Sequence, residues 1–214
     1  MQLREQATLA VKTSEDRTLR IGIPDTYIDD LLPVVLGVAG EEFDELPSIL
    51  CDHSFRLFQR FAQGELEIIV AARHPEFPAG RMIRTERLAW IGSSGFRVAH
   101  DEPLPLAVFP DGCPHRAAVL SALRAAGISW RILYTAQSSA SLFTPLRLGQ
   151  AVALLTVRDM PHDLSSMGEE LGLPDTPETR IDLHVSVPMA ERYGDGAVDR
   201  LLASTAAALD HVSH

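Results

Sequence analysis

The sequence predicts an α/β protein of two lobes. Three observations carry this. Apolar strand-type runs alternate with helix-type patterns from Leu19 to Ala72. Such alternation puts parallel strands in one sheet with helices on its faces. The same alternation restarts at Leu104 and ends at Thr156, without any repeat of residues. Finally, the 214 residues include 46% hydrophobic and 22% charged, enough core for one such protein of moderate size.

The elements follow in order. Residues 1–14 read as a short polar helix, broken at Ser14-Glu15-Asp16. Leu19-Arg20-Ile21-Gly22-Ile23 alternates as a strand and Pro24 stops it. Asp25 or Thr26 is placed to cap the helix that follows, which runs to about Gly40. Its apolar residues (Tyr27, Ile28, Leu31, Leu32, Val34, Val35, Leu36, Val38) cover an arc of roughly 200°, wider than one packed face needs. The excess predicts a contact with a second subunit. Leu46–Cys51 is a short strand. His53-Ser54 precedes a helix over Phe55–Gln63, closed by Gly64. Leu66–Ala72 is apolar throughout, as in a strand covered on both faces.

Arg73–Gly80 is turn-rich, and Met82–Gly92 reads as extended. Leu104–Phe109 is the next strand. The turn Pro110–Pro114 leads into a helix over His115–Ala126, ended by Gly127. Trp130–Thr135 is a strand, Ser138–Leu148 a helix capped by Ser138, and Ala151–Thr156 a buried strand. Residues 157–179 read as irregular. Arg180–Val187 alternates as a strand, and 196–212 forms the last helix. One lobe is expected to comprise 17–72 and 180–214, and the other 88–156. Crossovers at 73–87 and 157–179 would join them.

Charge and composition exclude several functions. A formal charge of −10 does not suit a chain that itself grips a nucleic-acid backbone. The two cysteines, Cys51 and Cys113, show no CxxC or Cys/His ligand spacing, so no metal is expected. No glycine-rich phosphate loop is present, and no cofactor is expected. No apolar run approaches the ~18–20 residues that cross a bilayer, and no signal-peptide pattern opens the chain. A cytoplasmic protein without membrane contact is the expectation.

Four helix starts follow strand ends: Asp25-Thr26, His53-Ser54, Gly112–His115 and Gln137-Ser138. Free backbone N–H groups and the positive end of the helix dipole make such places ligand sites in open α/β sheets. Cys113 at a positive helix end would have a lowered pKa, which keeps an enzyme using a Cys113 nucleophile open as an alternative. No acid–base partner for it can be picked from the sequence, and no catalytic residue is assigned.

The order of the pieces resembles the effector-binding domain of LysR-type bacterial transcription regulators. The residues that carry the resemblance are Leu19–Ile23 followed by Leu31-Leu32-Pro33, then Gly64–Val70 and Leu88-Ala89-Trp90-Ile91-Gly92. Pro103–Leu106 leads into Phe109-Pro110-x-Gly112-Cys113-x-x-Arg116, followed by Trp130-Arg131-Ile132 and Gly149–Leu155. Glu67 stands where the family usually has Asp, Ala151 where it often has Gly, and Thr156 where it often has Pro.

The resemblance implies two Rossmann-like lobes of the periplasmic-binding-protein type II kind, with a small effector, often an anion, between them. Carried over by position, the effector contacts are Asp25, Thr26, His53, Ser54, Ala72, Asp111, Gly112, Cys113, Arg116, Gln137, Ser138 and Thr156. Arg116 and the Gly112 turn are expected to hold negative charge. The family pairs its domains side by side. This implies a homodimer interface at Leu31, Val34, Val35 and Val38 of one lobe and Leu120 and Leu123 of the other, with a tetramer open to a full-length regulator. Residues 1–16 resemble the end of the family's linker helix. The amino-terminal winged helix-turn-helix is absent from the sequence, so DNA is expected as a partner only through that segment. A solute-binding protein of a transporter is a further alternative on the same fold.

Overall fold

The computed structural model describes residues 18–43, 47–99 and 101–210. The helix expected over 1–14 and the end of the last helix beyond 210 lie outside the described residues. The elements are β1 (Arg20–Ile23), a 3-10 turn (Asp25–Tyr27), α1 (Ile28–Glu42), β2 (Ser48–Cys51), α2 (Ser54–Ala62), β3 (Ile68–Ala72) and β4 (Arg81–Gly92). They continue with β5 (Leu104–Val108), α3 (Pro114–Ala125), β6 (Trp130–Thr135), α4 (Ser139–Arg147), β7 (Ala153–Thr156), β8 (Ser165–Ser166), β9 (Glu178–Val185) and α5 (Val187–Asp210).

In the first lobe the strands run in the order β2-β1-β3-β9. The period of two sorts their side chains. Ile21 and Ile23 of β1, Ile68, Val70 and Ala72 of β3, and Ile181 and Leu183 of β9 face α1 and α5 in one core. Ile69 and Ala71 face Leu57 and Phe58 of α2 on the other side. Gly22 lets α2 come close, because a Cβ there would lie 2.8 Å from Leu57 Cδ2. The second lobe repeats the plan. Leu104, Leu106 and Val108 of β5 pack with Val119 and Leu123 of α3. Ala107 and Phe109 pack with Leu142 and Leu146 of α4. β5 pairs β6 in parallel and meets Val152, the residue before β7, through Ala107 N–H to Val152 O at 2.9 Å.

Two expectations change here. The wide apolar arc of α1 is covered largely from within the chain. Leu31, Val35 and Ala39 share a core with Ala197, Val198, Leu201 and Leu209 of α5. Leu31 and Val35 are fully buried, as is Leu123 beneath α3, so none of the three can reach a partner. The extended reading of Met82–Gly92 holds. β4 is one strand serving both lobes. Arg81–Arg87 pairs β9 antiparallel, and Leu88–Ile91 pairs β7. The last helical region begins earlier than expected, at Val187, and bends at Gly194, whose φ is 77°. No helix among the described residues is long and apolar enough to cross a membrane.

Candidate functional site

β1, β3, β5 and β7 point their carboxyl ends into the gap between the lobes, and a cavity of about 170 Å³ lies there. Its apolar wall includes Phe55, Ala72, Phe109, Phe143 and Leu155. Its polar lining includes Asp25, Thr26, His53, Ser54, Asp111, His115, Ser139 and Asp159.

The lobes are joined by hydrogen bonds beside this cavity. Asp25 does not cap its own helix. Pro24 holds the cap position of the 3-10 turn, and α1 begins after Tyr27 with no side-chain cap. The Asp25 carboxylate crosses to the other lobe, where Oδ2 accepts from Ser139 N–H at 3.3 Å and from Ser139 Oγ at 3.2 Å. A carboxylate at the N-terminus of α4 suits the positive end of that helix. Ser138 caps α4 as expected, its Oγ accepting from Ser141 N–H at 3.3 Å. His53 Nε2 donates to Gln137 O at 2.9 Å, a second tie between lobes. Ser54 Oγ accepts from Ala72 N–H at 3.1 Å, which fixes the start of α2 against the end of β3.

A third interlobe contact is steric. Gly112 has φ +86°, and a Cβ on it would lie 2.5 Å from the Phe55 ring. Gly112→Ala is expected to destabilise the fold by about 1–3 kcal/mol from backbone strain alone, with the ring clash added. Adding Phe55→Ala should relieve the clash but not the strain. Chemical denaturation of the single and double variants checks this. Equal losses in both would mean that the two residues do not press on each other.

The strongest charge cluster begins where β7 ends. Arg158 donates from both Nη atoms to Thr26 O at 3.2 Å, pairs with Asp30, and stacks over the Tyr27 ring at 4.5 Å. Its Nη1 lies 3.3 Å from Asp159 Oδ1. Tyr27 OH donates to the buried Glu86 at 2.6 Å. Burial pushes Asp159 up to about 6, and the charges of Glu86 and Asp25 act the same way, against the pull of Thr156 and Arg158. His115 carries an Nε2 closed off from water and without a partner, and burial lowers its pKa to about 4. It is therefore neutral at pH 7.

Of the residues expected to contact an effector, Asp25, Thr26, His53, Ser54, Ala72, Asp111 and Cys113 line the cavity. Gly112, Arg116, Gln137, Ser138 and Thr156 are not among its lining. Arg116 turns back on its own loop, with Nη1 donating to Phe109 O at 3.1 Å and Nη2 lying 2.9 Å from Asp111 Oδ1. Its guanidinium is thus engaged by Phe109 and Asp111 rather than directed into the cavity. Thr156 is buried, and its Oγ1 accepts from Asp159 N–H at 3.3 Å. Gln137 contributes its carbonyl to His53, and Ser138 serves as a cap. Burial raises the Cys113 thiol above its ordinary value, the opposite of what a nucleophile needs.

Sequence reasoning missed Asp159, Ser139, Phe109 and Phe143 as lining residues, and it placed His115 at a candidate helix start without naming it as a contact. Asp159 follows a strand end just as Asp25 does, so the same rule could have found it. No group of His, Cys, Asp and Glu among the described residues could hold a metal ion.

Comparison with known proteins places this architecture. The family described as LysR substrate binding domain matches residues 12–208. The HTH-type transcriptional regulator DgdR of Burkholderia cepacia is 33% identical over 168 residues, which cover 78% of this chain and 57% of DgdR. PecT of Dickeya dadantii (strain 3937), also an HTH-type transcriptional regulator, is 28% identical over 182 residues, covering 84% of this chain and 58% of PecT. The chain thus spans less than two thirds of the length of these relatives. Among solved structures, a Corynebacterium glutamicum OxyR C206 mutant superposes with a TM-score of 0.68 at 17% identity, over 97% of this chain and 72% of that one. The regulatory domain of Synechocystis PCC6803 CcmR, in complex with 2-PG, gives 0.62 at 15% identity over 88% of this chain and 97% of that one. With its two lobes of the periplasmic-binding-protein type II kind and a family match over nearly its whole length, the chain belongs to the LysR substrate-binding domain family.

Proposed function

We propose that this domain is the sensor of a bacterial transcription regulator. A small molecule occupies the interlobe cavity, and its presence is relayed to a DNA-binding segment of the same regulator. The observation that carries this is the cavity itself, walled by both lobes and flanked by the Asp25–Ser139 and His53–Gln137 ties. A ligand inserted there touches both lobes at once, so its binding energy can favour one lobe arrangement over another. The regulator reading also draws on DgdR and PecT, whose names describe HTH-type transcriptional regulators. Localisation in the cytoplasm goes with that reading.

A second copy of the chain is the proposed protein partner. With Leu31, Val35 and Leu123 inside the cores, the surface available on α1 is Val34, Val38 and Leu36, with Leu120 on α3. Strand β6 adds the exposed Ile132, Leu133 and Tyr134.

The test is a metabolite screen by thermal shift on the native domain and on Ala72→Phe, which fills the cavity. A hit should raise Tm of the native chain and lose its effect in the variant. Hits that stabilise both equally would mean that the ligand sits elsewhere, and this reading would fall.

A further inference from the structure

We propose that the cavity accepts a small organic cation, an ammonium or similar donor head on a compact apolar body, with Asp25 and Asp159 receiving the head. This rests on the sensor reading above and names the chemical class of its ligand.

Several of the helix-end donors that would hold an anion are already used by the protein itself. At α4, Ser139 N–H is given to the Asp25 carboxylate and Ser141 N–H to Ser138. At α2, His53 N–H is given to the carboxylate of Asp52 at 2.8 Å. At α3 the first helical residue is Pro114, which has no N–H to give. An incoming carboxylate at the start of α4 would have to displace Asp25.

The side chains point the same way. The lining includes the carboxylates of Asp25, Asp111 and Asp159, whereas its one Arg or Lys is the exposed Arg56. Arg116 offsets Asp111. Arg158 is shared between Asp30, Thr26 O and Asp159, so Asp25 and Asp159 face the cavity with less than one cation each. A buried carboxylate that lacks a full partner is costly, and a ligand cation supplies the missing charge. The opposite wall fits an apolar body. Phe55, Phe109, Phe143 and Leu155 line it, and aromatic faces attract cations. Size limits the ligand further, since a dry cavity of ~150 Å³ holds benzene and this one measures about 170 Å³.

Benzylammonium, benzoate and benzyl alcohol share one frame and differ in charge. Each is titrated into the native domain by calorimetry at neutral pH, alongside matched cyclohexyl compounds. The ammonium compounds should bind at least about tenfold more tightly than the carboxylates. Asp159→Asn should weaken them by roughly 30-fold or more, the effect of removing one member of a desolvated charge pair, and should leave the alcohol unchanged. Asp25→Asn repeats the test where Asp159→Asn folds poorly, and the comparison on the native chain needs no variant. Tighter binding of the carboxylates, lost in Ala72→Phe, would overturn the cation and leave the sensor standing. If no compound of any charge binds, the cation falls, and the metabolite screen on the native domain and Ala72→Phe decides the sensor by itself.

Discussion

Arg158→Met is expected to cost the fold about 3–5 kcal/mol, the usual loss when one member of a buried ion pair is removed and its partners stay behind. Arg158 is only 12% exposed, and its partners Asp30 and Asp159 are 17% and 14% exposed. Removing it strands both carboxylates and leaves Thr26 O without its two donors. Since Arg158 and Asp159 follow β7 of the second lobe while Thr26 and Asp30 belong to the first, the loss also loosens the grip of one lobe on the other. Arg158→Lys should recover only part of the stability, because one ammonium cannot reproduce the planar fork that reaches Thr26 O, Asp30 and Asp159 together. Urea unfolding of the three proteins measures it. A loss below about 1 kcal/mol for Arg158→Met would put the cluster in the class of solvated surface pairs.

The second large effect is a hidden compensation in the pH profile. Asp159 has its pKa pushed up from 3.8 to about 6. Between these values the folded chain holds a proton that the unfolded chain has released, so acidification from pH 6 to 4 adds stability. His115 is lowered from 6.5 to about 4. Between these values the unfolded chain takes a proton that the folded chain refuses, so acidification from pH 6.5 to 4 removes stability. At ~1.4 kcal/mol for each pH unit of displacement, each is worth about 3 kcal/mol, with opposite signs. Their sum is nearly flat in the native protein. Asp159→Asn should expose the His115 arm and make the chain lose about 3 kcal/mol more than the native protein on going from pH 6.5 to 4. His115→Gln should expose the other arm and gain relative to the native protein over the same interval. Subtracting the native profile removes the titration of all shared groups. Three parallel profiles would show that neither group titrates as described.

The strands were legible because their signal is local. Ile68–Ala72 and Ala153–Thr156 are covered on both faces, and an unbroken apolar run says so without reference to the rest of the chain. Helix starts were legible for the same reason, and Ser138 is the cap its spacing predicts. What was not legible depends on pairs far apart in sequence. Asp25 looks like the cap of the next helix until Ser139, 114 residues later, is seen to receive it. Arg158 lies in a stretch that reads as irregular, and its partner Asp30 is 128 residues away. The arc of α1 shows the same limit. Its width was readable, but the identity of the covering surface was not, and α5 from the far end of the chain supplies much of it. Val187–Tyr193 was missed because Pro188, Gly194 and Gly196 look like loop residues, although Pro is tolerated in the first turn of a helix.

The twelve-residue β4 gives the domain a spine. Two-lobed proteins joined by slack loops swing like a door on pins, with one or two residues absorbing the turn. Here one of the two connections is a strand hydrogen-bonded along its length, to β9 on one side of the lobe boundary and to β7 on the other. The partner changes at Arg87, which pairs with Glu178 of β9 while its carbonyl accepts from Val157 N–H, just past β7, at 2.9 Å. Backbone donors and acceptors are thus paired on both sides of the lobe boundary. A ligand that moves one lobe against the other acts on a rod common to both, not on a slack loop.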